Sequence, residues 1–60
     1  MALSLDEVLA AVARELTNRR LRYALLVRAG QMDATVASYE IACLQEAYRL
    51  LAGLEGASHD

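Results

Sequence analysis

Arg19, Arg20, Tyr23, Glu40, Cys43 and His59 are the residues of this 60-residue chain whose types suit chemistry. Glu40 is a candidate ligand or catalytic carboxylate, because it falls inside an apolar stripe where a charge is perturbed. Catalysis there needs a second titratable group, a nucleophile or a metal close by. The sequence offers no second carboxylate on the stripe, no histidine near it and no ligand-spaced pair. Cys43 is the only cysteine and His59 the only histidine, so neither an internal disulfide nor a histidine-based metal site is expected. Cys43 reads as a small buried hydrophobe. No catalytic, cofactor-binding or metal residues are assigned, and the chain is expected not to be an enzyme.

The elements that position these residues follow from patterning. Hydrophobic residues make up 57% of the chain, with no proline, tryptophan or phenylalanine. Abundant alanine and leucine with few β-branched residues favour helix. Ser4-Leu5-Asp6-Glu7 is a capping box, with Leu3 and Val8 placed as its hydrophobic staple. Asp6 and Glu7 also suit the positive end of the helix dipole. Leu5, Leu9, Val12, Leu16, Arg19, Tyr23 and Leu26 follow a 4-3-4-3-4-3 spacing, flanked by Val8 and Val27. Gly30 stops this helix, which spans about 5–29.

A turn over about 30–33 follows, and Asp33 caps a second helix over about 34–53. Ala34, Ala37, Ile41, Leu44, Tyr48 and Leu51 form its seam. Cys43, Ala47, Leu50 and Leu54 form a second row beside it. The helix is expected to fray from Gly53 to Gly56, with 56–60 as a solvated tail. A connection this short implies an all-α fold: one domain, an antiparallel two-helix hairpin.

A hairpin alone leaves apolar surface uncovered. The apolar positions of the second helix span roughly 200° of its circumference, more than one partner helix covers. Leu21 and Leu25 point nearly opposite to the first helix's seam. A core of this size is also thin without a disulfide, a metal or a partner. A homodimer forming a four-helix bundle is therefore expected. Tyr23 and Tyr48 are placed in the core and Tyr39 at a rim.

Arg19 and Glu40 interrupt the two apolar stripes. With the turn near Gln31, facing residues have numbers summing to about 62, which sets Glu40 beside Tyr23 and within a turn of Arg19. The expected structural polar network is Arg19, Arg20, Tyr23 and Glu40, in the role of a register lock that a second copy can complete. The candidate interaction surface is Arg14, Leu21, Leu25 and Arg28.

Charge speaks against one partner class. The net charge is −2, so no global field attracts nucleic acid. Arg14, Arg19, Arg20, Arg22 and Arg28 cluster in the first half, and lysine is absent. Their angular spread does not align them as a groove-binding stripe, and a helix-turn-helix reader lacks its third helix here. No apolar run approaches the roughly 18 residues of a membrane span. The first residues lack the basic n-region of a signal peptide, so the expected compartment is the cytoplasm.

The stretch from Arg19 to Leu51 resembles a set of small uncharacterised proteins of phage and prophage regions in bacterial genomes. Arg19, Arg20, Tyr23, Val27, Gly30, Met32, Ala37, Glu40, Ile41 and Leu44 carry the likeness. In that set a proline follows the tyrosine, whereas Ala24 does here, which favours an uninterrupted first helix. The resemblance implies a phage-associated origin and no activity. In length and topology the chain is also similar to Rop-like hairpins, which dimerise and bind paired RNA hairpins. The leading expectation is a non-enzymatic, self-associating hairpin that acts through protein–protein contacts. The alternative is a Rop-like nucleic-acid-binding regulator using the arginine-rich first helix.

Overall fold

The computed structural model describes residues 2–57, and side chains over 2–54. Two helices of equal length make up the fold: α1 (Leu5–Arg28) and α2 (Ala34–Ala57), 24 residues each. No strand occurs among the described residues. The helices lie side by side as a hairpin measuring 47 × 22 × 14 Å. Each helix alone is about 36 Å long, so the long dimension is far short of two helices end to end.

Local chemistry sets each helix end. The extended Ser4 hydroxyl accepts from the Glu7 amide at 3.1 Å and opens α1. Glu7 was expected to reach back to the Ser4 amide. Its carboxylate accepts from the Ser4 hydroxyl at 3.3 Å instead, so the two side chains close the box between themselves. At the other end Gly30 adopts φ 72°, the left-handed region that glycine enters without steric cost. The Gln31 amide then donates to Leu26 at 2.8 Å and the Gly30 amide to Val27 at 3.1 Å. That pair of bonds is the Schellman closure, which satisfies carbonyls the helix would leave open. Ala29 is the C-cap residue, one position inside the expected end.

The Asp33 carboxylate accepts from the Thr35 amide at 2.8 Å and the Val36 amide at 3.2 Å, capping α2 as its type requires. The far end of α2 differs from expectation. The helix passes through Gly53 and Gly56 to Ala57. A helical glycine costs about 1 kcal/mol relative to alanine, which handicaps a helix without ending it. Of the expected tail over 56–60, residues 56 and 57 are thus helical, while 58–60, His59 among them, lie outside the described residues.

The seam of α1 faces inward as its spacing predicts. Leu9 is buried, and Leu5, Val8, Val12, Leu16, Tyr23, Leu26 and Val27 are half-buried. On α2, Ala37 is buried, and Ile41, Leu44 and Leu51 are half-buried. Leu9 and Ala37 are the only buried hydrophobic residues among those described. Most of the seam is thus only partly withdrawn from water.

Candidate interaction surface

Ion pairing in this hairpin is local. Arg19 Nε donates to Glu15 Oε1 at 2.7 Å, one turn back on α1. This bond holds the Glu15 carboxyl below its ordinary range, helped by the charges of Arg19 and Arg22. The same bond raises Arg19, and Tyr23 beside it adds to the effect. Arg49 pairs with Glu46 on α2 in the same fashion, Nε to Oε2 at 3.0 Å. Arg14, Arg20, Arg22 and Arg28 make no ion pair among the described residues.

The expected network of Arg19, Arg20, Tyr23 and Glu40 is therefore brought together only in part. Arg19 and Tyr23 are neighbours. Glu40 is half-buried on α2 and makes no hydrogen bond or ion pair among the described residues. Glu15 was the missed competitor. It precedes Arg19 by four residues, the favoured order for such a pair, and needs no tertiary contact to reach it. Arg20 lies apart on the other edge of α1. There it lines an open groove of about 560 Å³ with Tyr23, Val27, Ala34, Ala37 and Ile41.

Cys43 is exposed, against the expectation of a buried residue. The reason is geometric: the row to which it belongs lies away from α1. At about 100° per residue, that row is turned more than 100° from the α2 seam. Leu50 is 57% exposed, Leu54 60% and Val36 50%. Tyr39, 68% exposed, sits at its edge as a rim residue. The neighbouring Cys43 thiol, with the charge of Glu40, pushes the Tyr39 hydroxyl above its ordinary value. Tyr48 was expected in the core, but it is 37% exposed.

The complete row is longer than the expected Cys43, Ala47, Leu50 and Leu54. Val36, Glu40, Cys43, Ala47, Leu50 and Leu54 repeat at 4-3-4-3-4, a second heptad seam on α2. It runs about 27 Å along the helix, and Glu40 is its one charge. The spacing carries this signal: Val36 and Glu40 extend the row of Cys43, Ala47, Leu50 and Leu54 towards the turn.

The surface proposed on α1 is also open. Leu21 and Leu25 are each 65% exposed, and Arg14 and Arg28 are exposed beside them. Arg20 and Arg22 point to other sides of the helix, so the arginines form no continuous stripe. No group of three metal-ligating side chains occurs among the described residues. No helix there is long and apolar enough to cross a membrane. Compared with protein-family models, curated proteins and solved structures, the chain matches none.

Proposed function

We propose that this chain is a non-enzymatic, self-associating helical hairpin that dimerises through α2 and acts through protein–protein contacts. The observation that carries the reading is the uncovered seam of Val36, Glu40, Cys43, Ala47, Leu50 and Leu54. A heptad row is the pattern by which one helix packs on another, and α1 occupies a different face. Exposed apolar rows of this length mark association sites.

Surface area supports a second copy as the occupant. The chain exposes 4648 Å², whereas a compact monomer of its mass exposes about 3,900 Å². A hairpin with this much open surface has room for the roughly 800 Å² that each partner buries in a standard interface. The core points the same way, since two buried residues leave little stability for a lone hairpin.

Sedimentation velocity and light scattering across a concentration series test the reading. The expected mass is twice 6.6 kDa, with a melting temperature that rises with concentration. A monomer that melts cooperatively at a concentration-independent temperature overturns it.

A further inference from the structure

We propose that the two α2 helices of the dimer run antiparallel about a two-fold axis crossing between Cys43 and Ala47, and that Glu40 selects this direction. The inference rests on the self-association proposed above and adds its geometry. The 4-3-4-3-4 spacing of the row is the same from either end. An antiparallel copy centred level with Gln45 sets Val36 opposite the partner's Leu54, Glu40 opposite the partner's Leu50, and Cys43 opposite the partner's Ala47. Each of the six positions then finds a counterpart, and the symmetry repeats every layer once.

Charge decides between the two directions. In a parallel pair each residue meets its own copy, so Glu40 meets the partner's Glu40 inside an apolar seam. Like charges there repel and are desolvated together. In the antiparallel pair the two carboxylates are ten residues apart along the seam, about 15 Å, beyond the Debye length of about 8–10 Å in ordinary buffer. Each carboxylate faces a leucine of the partner and not a second carboxylate. Arg19, the cation expected beside Glu40, is bonded to Glu15 instead.

Size and dipoles agree with this direction. Cys43 and Ala47 are the smallest side chains of the row and lie at the proposed axis, where two helices approach most closely. Leu50, Leu54 and Val36 lie towards the ends, where a crossing leaves more room. Antiparallel helix dipoles attract side by side, whereas parallel ones repel.

Directed disulfide formation tests the geometry. Wild-type chain, with its thiol at Cys43, is mixed with the double variant C43S/A47C and equilibrated with oxidised glutathione. A disulfide requires Cα atoms about 4.4–6.8 Å apart. The antiparallel register brings Cys43 opposite position 47 of the partner, so a covalent heterodimer is expected in the mixture. Neither chain oxidised alone should give a covalent homodimer, because identical positions are offset by about 6 Å along the axis as well as across it. Putting the two thiols on different chains also prevents a bond within one helix. Covalent homodimers from wild-type chain alone, or a dimer by mass with no heterodisulfide, overturn the antiparallel register while leaving self-association intact. A monomer by mass overturns both.

Discussion

The Arg19 guanidinium lies 2.7 Å from the Glu15 carboxylate, one turn back on the same helix. A pair of this kind forms as soon as α1 does, so it contributes to the helix and not to the docking of α1 on α2. It holds the Glu15 carboxyl below its ordinary value of 4.5. The sign follows from linkage. A carboxyl whose pKa falls on folding adds stability above its unfolded value, and that stability is lost as pH falls through the folded value. The expected window is therefore pH below 4.5. In an NMR titration Glu15 should titrate below 4.5, and Arg19→Gln should return it to the ordinary range. Both side chains are partly exposed, so high salt should shrink the difference. An unshifted Glu15 in the wild-type chain contradicts the pairing.

Gly30 and Gly53 form a matched pair of tests. Apart from the adjoining backbone, no atom lies within 4 Å of where a Cβ would stand at either, so space is equal at both. Only Gly30 has a positive φ, 72°. Gly30→Ala should destabilise by about 1–2 kcal/mol through left-handed strain. Gly53→Ala should stabilise by up to about 1 kcal/mol, because the site is helical. Thermal and urea unfolding at one fixed protein concentration read both. Equal effects would place the cost somewhere other than the Gly30 dihedral.

The contrast between these glycines shows how far the sequence was legible. Ser4, Gly30 and Asp33 act through bonds to residues two to five positions away, so their roles follow from local spacing. The α1 seam was equally legible, since a helix of 24 residues fixes which side chains share a face. Two things were not. Arg19 had a competing carboxylate at Glu15, and the choice between a neighbour and a distant Glu40 depends on tertiary distances. The wide stripe of α2 was visible as hydrophobicity, but hydrophobicity does not say which part α1 covers. Cys43 was expected inside from the burial preference of a free cysteine, and the packing of α1 on the Ala37, Ile41 and Leu44 side left it outside.

Leu9, Leu50 and Leu21 separate folding from association. Leu9 is 8% exposed in the hairpin seam, so Leu9→Ala should cost at least about 2 kcal/mol. Leu50→Glu places a charge on the open row. It should reduce the mass to that of a monomer and abolish the concentration dependence of melting. Leu21→Glu, on the outer side of α1, should change neither. If Leu21→Glu breaks the dimer and Leu50→Glu does not, the association surface is the one containing Arg14, Leu21, Leu25 and Arg28.

Glu40→Leu tests whether the one charge of the open row opposes association while directing it. A polar group in a helical seam lowers stability and selects orientation. Replacing Glu40 with leucine removes the desolvation of a half-buried carboxylate and should stabilise the dimer by about 1 kcal/mol, at the low end for replacing buried charges with apolar groups. It should also remove the penalty on the parallel pairing. Oxidation of this variant should then yield covalent homodimers through Cys43, which the wild-type chain should not form. Both readouts matter, because the first measures cost and the second measures direction. A variant that melts lower than wild type would mean that the Glu40 carboxylate is bonded across the interface. The charge would then hold the two chains together, and its repulsion would no longer explain their direction.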